Sequence, residues 1–287
     1  MLNTPLKPML LQPAPELPTG DNYSWTIKYD GHRALLHYKD GRIRIFTRHK
    51  NEVTQKYIEF DSIKLPVQNC ILDGEMICFD TDKDIPVPCF DSLMTRFQAS
   101  NPTKIAELTQ VLPVQFVSFD IIYLNDKSLL NEPYYKRISL LNNHIPNQNN
   151  LSVAPVYSDG DTLYNRVVDL DLEGVVTRDN NKPYYLDSRP NNVIFKTKNY
   201  QYSTVSISGI RKEKFGWLMK EDNKYRGILE FVPPDERKAF YHISKQLIID
   251  EDKDFIYLDP LIKCEVKYQC LSKNGYMRSA SFQKFII

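Results

Sequence analysis

The chain has 287 residues, of which 25% are charged and 42% hydrophobic, and its formal net charge is +1 at pH 7. This composition is that of an ordinary globular protein with one large domain or two modest ones, and the low net charge excludes a chain that coats nucleic acid by bulk charge. No apolar run could span a bilayer and no signal peptide is visible, while five cysteines without a CxxC pair indicate reduced thiols rather than a zinc site or disulfides. We therefore expect a cytoplasmic monomer that does not associate with membranes.

The N-terminal part of the chain mixes strand and helix patterns. Residues 1–20 are rich in proline, which predicts an extended segment over the surface without regular structure. Strands are predicted at residues 25–27, 34–38, 43–46, 70–79, 114–124, 151–157 and 174–177, and helices at residues 90–98, 133–144 and 161–170. Asp91 or Ser92 is expected to cap the first helix. This mixture predicts an α+β domain with largely antiparallel sheets.

The pattern changes near residues 200–203. After them, short strands are predicted at residues 204–209, 227–232 and 261–268, with one helix at residues 234–246. Several strands and one helix in so short a segment fit a small Greek-key barrel such as the OB-fold, with a sandwich fragment as the alternative. We therefore expect two domains, residues 1–202 and residues 203–287, joined by an exposed linker at which they could rotate.

The most informative motif is Lys-Tyr-Asp-Gly-His-Arg at residues 28–33. Lys28 stands at the end of a predicted strand, where its amine is placed for attack on an electrophile. A lysine is protonated at neutral pH, so a neighbouring cation or desolvation must favour the neutral amine. Arg33 is close enough to help and to hold a phosphate bidentately. Taken alone, the motif also fits a solvated surface hairpin.

Four further motifs follow in a fixed order: Asp-Gly-Glu at 73–75, Phe-Asp at 119–120, Glu-Gly-Val-Val at 173–176 and Lys-Thr-Lys at 196–198. Together with the first motif they resemble the covalent nucleotidyltransferases, which include ATP-dependent DNA ligases and mRNA capping enzymes. The spacing is most similar to the small bacterial and phage ATP-dependent DNA ligases, including the ligase modules of bacterial end-joining proteins. Residues 262–266 and 273–278 are similar to the ligase C-terminal domain, so the resemblance extends over the full length.

The resemblance implies an ATP-grasp-like nucleotidyltransferase domain over residues 1–202 and an OB-fold barrel over residues 203–287. It implies that Lys28 attacks the α-phosphorus of ATP and carries AMP covalently. Lys196 and Lys198 would contact the α-phosphate, and their spacing of two along a strand places them on one face. Glu75 and Glu173 would bind Mg²⁺, or Mn²⁺, with Glu75 also near the ribose. Without the other motifs, the two lysines would be read as surface residues and Glu173 as a solvated strand end.

Further assignments come from the same resemblance, which also implies a bacterial or phage-infected cell as the setting. Phe119 would stack on the purine, although an aromatic residue in such a strand is usually part of the core. Thr26 falls where ligases contact the adenine edge. Arg48 and Arg189 match arginines that meet phosphates, and Arg33 and Arg48 are expected to contact DNA.

The implied reaction is the sealing of nicks in duplex DNA, in repair, recombination or replication. Two basic stretches, residues 28–56 and 196–226, could line the two sides of a phosphate-binding cleft. A capping guanylyltransferase and an inactive nucleic-acid-binding module are the alternatives. The sequence departs from many ligases after Arg278, where a following Arg-x-Asp-Lys element is missing, so we expect a weaker contribution of the C-terminal domain to self-adenylation.

Overall fold

The structure, a computed structural model, describes residues 1–80 and 86–286. Its contacts divide the chain into two compact units, Met1–Lys198 and Asn199–Ile287. None of the helices in the described residues is long and apolar enough to cross a membrane.

The first unit contains strands and helices in alternation. In its described residues the strands are β1 (Gln12–Pro13), β2 (Tyr23–Ile27), β3 (His32–Lys39), β4 (Arg42–Thr47), β5 (Asn69–Ile77), β6 (Phe79–Asp80), β7 (Val87–Pro88), β8 (Gln115–Leu124), β9 (Lys127–Ser128), β10 (Leu151–Val153), β11 (Gly174–Asp179) and β12 (Ile194–Lys198). The α-helices are α1 (Phe90–Gln98), α2 (Pro102–Val111), α3 (Tyr134–His144) and α4 (Gly160–Asp169), and short 3-10 helices lie at Thr54–Lys56 and Ile58–Ser62.

Two sheets form the centre of this unit. One has the order β1-β12-β11-β2 and the other the order β10-β8-β5-β3-β4, with β9 beside β8. Apolar residues of both sheets, among them Leu35, Ile71 and Ile194, form one buried cluster, so the sheets face each other across it. Because side chains alternate along a strand, Leu36 of β3 joins a second cluster on the other face of its sheet. The mixed α+β class with largely antiparallel pairing is confirmed.

The N-terminal segment differs from the prediction. Met9 is 2% exposed, Leu10 N–H donates to the Ser188 carbonyl at 2.7 Å, and β1 pairs with β12 in parallel. The expectation of an irregular surface segment is therefore wrong from Met9 to Pro13. Proline prevents a long ladder there, but the apolar side chains between the prolines gain more by burial than the segment loses in freedom.

Helix ends also depart from the prediction. The N-cap residue of α1 is Cys89, and no side chain caps the helix, so the expected caps Asp91 and Ser92 are wrong. Asp91 lies instead in the first turn, where a carboxylate favours the helix dipole. The helix α2 was not predicted, although Asn101 caps it by accepting from the N–H groups of Thr103 and Lys104.

The second unit is a strand-rich domain with one helix. Its described elements are β13 (Gln201–Arg211), β14 (Trp217–Glu221), β15 (Lys224–Leu229), α5 (Pro234–Ser244), β16 (Ile248–Glu251), β17 (Phe255–Leu258), β18 (Lys263–Tyr268) and β19 (Ser281–Ile286). Strand β13 pairs with β14 and β18, β14 pairs with β15, and β18 pairs with β19. A parallel bridge between Phe231 and Ser281 joins the two ends of this series. This order, with a helix between the third and fourth strands of the ring, is that of an OB-fold, as predicted.

Candidate functional site

Three strand ends of the first unit meet at one place. Strand β11 is antiparallel to both β2 and β12, with Val175 opposite Ile27 and Gly174 opposite Lys198. Lys28 follows β2 directly, and its N–H donates to the Gly174 carbonyl at 2.9 Å. The register therefore brings three places to the same edge of the sheet. They are Lys28 after β2, Glu173 before β11, and the end of β12.

Glu173 lies between two lysines. Its Oε2 atom is 2.5 Å from Lys28 Nζ and its Oε1 atom is 3.0 Å from Lys198 Nζ. The three side chains are 6%, 20% and 18% exposed, in the order Glu173, Lys28 and Lys198. Partial burial makes such pairs stronger than surface ion pairs, so the carboxylate fixes both amines at the edge of the sheet.

Two glycines permit the close approach of these segments. Gly174 has φ +148°, and a Cβ atom there would lie 2.2 Å from the Thr197 carbonyl oxygen. A Cβ atom on Gly31 would lie 2.2 Å from the Met76 carbonyl oxygen. Since no other residue avoids these contacts, both glycines are required for the backbone to pass so close to its neighbours.

Lys196 and Arg189 extend the group of cations. The pKa of Lys196 is lowered by burial and by the charges of Lys198, Lys28 and Arg189, against the effect of Glu173. The structure thus places Lys196 and Lys198 on the same side of β12, whereas Arg189 is exposed at the rim. A concentration of positive charge of this kind is suited to a polyphosphate.

Glu75 is the second carboxyl group beside Lys28. Burial raises its pKa to about 8, in spite of Lys28 and Arg33, and the neighbouring Glu173 and Asp73 raise it further. A cation between Glu75 and Glu173 would relieve this repulsion, and carboxylate oxygens are ligands that Mg²⁺ accepts. No three His, Cys, Asp or Glu side chains in the described residues are grouped to hold a metal ion by themselves. Two carboxylates with phosphate oxygens and water are nevertheless a common magnesium shell, so the residues fit a divalent ion.

These groups line a cavity of about 460 Å³, a size typical of small-molecule sites. Lys28, Glu75, Glu173, Arg189 and Lys196 are among its lining residues. Arg48, His49, Phe90 and Phe97 also line it. Arg48 is exposed, and its Nε atom donates to His49 Nε2 at 3.0 Å. Its guanidinium is therefore at the rim, accessible to a large substrate.

A smaller recess adjoins this cavity and contains the residues predicted to hold the base. Thr26 and Phe119 line it together with Leu11, Val176 and Arg178. Phe119 is 9% exposed, and the Cζ atoms of Arg33 and Arg178 lie 5.4 Å and 4.8 Å from its ring centroid. Thr26 Oγ1 accepts a hydrogen bond of 2.9 Å from Arg178 Nη1. The structure therefore brings Thr26 and Phe119 into one pocket beside Lys28.

Arg33 is held by a carboxylate. Its Nε and Nη2 atoms donate to Asp73 Oδ1 and Oδ2 at 2.9 Å and 2.6 Å. The Tyr184 hydroxyl donates to Asp73 Oδ2 at 2.6 Å and accepts from the Met9 N–H at 3.1 Å. Arg33 lines both cavities, and its guanidinium is held in place by its hydrogen bonds to Asp73. Its contact with a phosphate or with DNA stays a prediction.

Sequence reasoning missed Arg178, Tyr184 and Leu11. Arg178 shares a face of β11 with Val176, and Val176 is paired with Thr26, so the alternation of the strand was a usable signal. Because buried arginines are uncommon, an arginine at this position is ordinarily expected to be exposed. Tyr184 and Leu11 lie outside regular patterns, and the contacts that bury them come from distant parts of the chain.

Known proteins are similar to this chain along its length. The profile of the ATP dependent DNA ligase domain matches residues 8–198. The SPbeta prophage-derived DNA ligase-like protein LigB of Bacillus subtilis (strain 168) is 30% identical over 282 residues, which are 98% of this chain and 98% of that protein. The DNA ligase of Thermococcus fumicolans is 25% identical over 98% of this chain, and the match spans 54% of that longer protein.

Solved structures show the same fold. The ligase domain of LigD from M. tuberculosis matches with a TM-score of 0.58 and 21% identity, over 98% of this chain and 95% of that chain. A structure described as a Lig E DNA ligase matches with a TM-score of 0.68 and 16% identity, over 98% and 99% of the two chains. Both likenesses extend through both units of the chain.

Proposed function

The chain belongs to the ATP-dependent DNA ligases, and on that premise we propose that it seals nicks between 3′-hydroxyl and 5′-phosphate ends of duplex DNA. The observation that carries the proposal is the arrangement at the sheet edge. Lys28, Lys196, Glu75 and Glu173 line one cavity large enough for a nucleotide, and Lys198 is paired with Glu173.

In the first step, Lys28 Nζ would attack the α-phosphorus of ATP. A phosphorus–nitrogen bond forms, the bond from that phosphorus to the bridging oxygen of the β-phosphate breaks, and pyrophosphate leaves. The amine must first lose a proton and separate from Glu173. Lys196, Lys198 and Arg189 would neutralise charge on the phosphates, which is the main task of a protein in phosphoryl transfer.

We propose that the divalent ion of this family is magnesium here, with manganese as a substitute, held by Glu75 and Glu173. Such an ion neutralises phosphate charge when bound. The residues of the chain contribute the geometry: Glu173 would exchange its lysine partners for the ion, and Glu75 would be ionised beside it. The loss of Glu173 as a partner would free the amine of Lys28, and the ion would compensate the charge of Glu75.

In the remaining steps, AMP would move from Lys28 to the 5′-phosphate of the nick, and the 3′-hydroxyl would then displace AMP and close the backbone. Arg48 is exposed at the cavity rim, where it could hold that 5′-phosphate. Contacts of this kind read phosphates and not bases. Sealing should therefore be sensitive to salt and indifferent to base sequence.

We further propose that the two units act as a nucleotidyltransferase domain and a DNA-contacting OB-fold domain. All residues lining the two cavities around Lys28 belong to the first unit. The predicted boundary between residues 202 and 203 stays a prediction. Residues 201–203 pair with β18 of the second unit, which favours a connection just before them.

The test is a nicked duplex with a labelled 5′-phosphate, incubated with protein, magnesium and either ATP or GTP. We expect a sealed strand with ATP and a covalent AMP adduct on the protein. A protein that fails to seal the nick but transfers GMP to a diphosphate RNA end would instead be a capping enzyme. A protein that binds DNA without forming any adduct would be an inactive binding module.

A further inference from the structure

Arg178 differs from the other deeply buried arginines of the chain. Arg96 and Arg137, which are 0% and 1% exposed, are paired with the carboxylates of Glu59 and Asp120. Arg178 is 4% exposed. Within residues 1–80 and 86–286 it forms no ion pair, and its guanidinium makes one hydrogen bond, to Thr26 Oγ1. A buried cation without a carboxylate partner is costly.

The guanidinium of Arg178 carries five N–H donors, and the Thr26 hydroxyl takes up one of them. Its Cζ atom lies 4.8 Å from the Phe119 ring centroid and 5.3 Å from that of Tyr134. Aromatic faces attract the positive charge but do not satisfy the N–H groups in their plane. The remaining donors therefore lack acceptors in the described part of the chain.

The donors border the place where the base of a bound nucleotide must lie. The recess that Arg178 lines is also lined by Lys28, and it shares Lys28, Arg33, Glu75 and Leu11 with the larger cavity. Because Lys28 lines both cavities, a nucleotide whose α-phosphate reaches Lys28 can place its base at this recess. Leu11, Val176 and Phe119 supply apolar walls there, and Arg178 supplies the polar group.

We propose that Arg178 is a specificity residue that reads the base by donating a hydrogen bond to an acceptor nitrogen of the adenine ring. The proposal rests on ATP being the nucleotide that reacts with Lys28. A guanidinium can donate but not accept, so its partner is a ring nitrogen and not the exocyclic amino group. Because Thr26 Oγ1 accepts from Arg178, its own O–H remains available for a second acceptor.

The test combines variants of the protein with analogues of ATP in which one ring nitrogen is replaced by carbon. Self-adenylation is measured with ATP, 1-deaza-ATP, 3-deaza-ATP and 7-deaza-ATP, for the full-length protein and for Arg178→Met. One analogue should raise KM of the unaltered protein by about tenfold or more, the size of a hydrogen bond from a charged donor. Arg178→Met should raise KM for ATP by a similar factor and show no further penalty for that analogue. Arg166→Met, which removes an exposed arginine of α4, should behave as the unaltered protein does.

Three results would overturn the proposal. The unaltered protein could use all three analogues as well as ATP, or Arg178→Met could retain the penalty for the same analogue, as a purely structural role requires. Arg178→Met could also bind ATP more tightly, which would mean that the side chain occupies the space of the base. If Arg178→Met does not fold, the proposal is tested with Arg178→Lys and with the analogue series on the unaltered protein.

The result is separable from that of the ligase proposal. If the unaltered protein forms no adduct with ATP, the proposed function fails, and the same analogue series is then read by calorimetric binding of each nucleotide. Equal affinities for ATP and the three analogues would overturn the role of Arg178. A selective loss for one analogue, absent in Arg178→Met, would support it.

Discussion

Lys28 Nζ lies 2.5 Å from Glu173 Oε2, so the proposed nucleophile is paired with a carboxylate before any substrate arrives. A lysine side chain is ordinarily an ammonium ion at neutral pH, which has no lone pair for attack. The pair must separate before the first chemical step. Glu173 also holds Lys198 at 3.0 Å, so one change at this carboxylate would release two cations toward the phosphates.

Replacing Lys28 should abolish the covalent adduct. Lys28→Ala removes the attacking nitrogen, and we expect no AMP adduct by intact mass spectrometry after incubation with ATP and magnesium. Lys104→Ala, which alters an exposed lysine of α2, is the matched control and should retain full adduct formation. An adduct that persists in Lys28→Ala would show that another residue carries the nucleotide.

Removal of divalent ions should stop adduct formation reversibly. Glu173→Gln should weaken the response to magnesium, because a neutral amide is a poorer ligand for a hard cation than a carboxylate. The measurement is adduct yield against magnesium concentration after treatment with a chelator. Full activity in excess chelator would contradict the role given to the two carboxylates.

The stability of the protein should depend on pH through Glu75. Its pKa of about 8 in the folded protein, against an ordinary value of 4.5, means that the folded state holds the proton more tightly than the unfolded state. This contribution is complete below pH 4.5 and is lost as the pH rises through 8. Without nucleotide and metal, the Tm of the unaltered protein should therefore fall relative to the Tm of Glu75→Gln as the pH rises over this range. For Glu107→Gln, an exposed change in α2, the difference in Tm from the unaltered protein should not change with pH in this way.

Arg48 should matter for DNA and not for ATP. Because its side chain is exposed at the rim of the cavity, Arg48→Ala should leave adduct formation on Lys28 nearly unchanged. Sealing of a nick should slow by roughly tenfold, the loss expected for one charged contact, and its dependence on salt should become weaker. An equal loss in both steps would place Arg48 at the nucleotide instead.

Tyr184→Phe should destabilise the first unit. The change removes a hydroxyl that donates to Asp73 and accepts from the Met9 N–H, which leaves buried polar groups without partners. We expect a loss of about 1–3 kcal/mol in the free energy of unfolding by urea denaturation. Tyr185→Phe, an exposed neighbour that is 41% accessible, is the control. Equal stability of both variants would show that the Asp73 network adapts.

Local patterns were sufficient to predict the elements that carry the five motifs. The β3–β4 hairpin follows from alternating residues around Asp40-Gly41, both of which have positive φ, as a tight reversal requires. Helix α1 has the predicted bounds because its amphipathic pattern is local. The register of β2 against β11 was beyond reach, since it depends on pairing between residues about 150 positions apart along the chain, such as Ile27 and Val175.

The parts that sequence reasoning missed are those in which polar residues are buried together. Tyr184 has no feature in its own neighbourhood that distinguishes it from a surface residue, and at Arg178 the alternation of β11 was the one local signal. Their burial results from Phe119, Asp73 and Met9, which come from three other segments. The pairing of a charge with a distant partner is a tertiary property, and no local propensity reports it.

The burial of Met9, which lies near the start of the sequence, has a consequence for synthesis of the protein. Its N–H donates to Tyr184, which is 175 residues later in the sequence, and β1 must await β12 for its pairing. The segment around Met9 is synthesised before these partners and can be buried only after they have been made. Contacts between such distant residues are slow to form, and until then the apolar groove that receives Met9 stays open. A chaperone that covers this groove during translation should increase the yield of native protein.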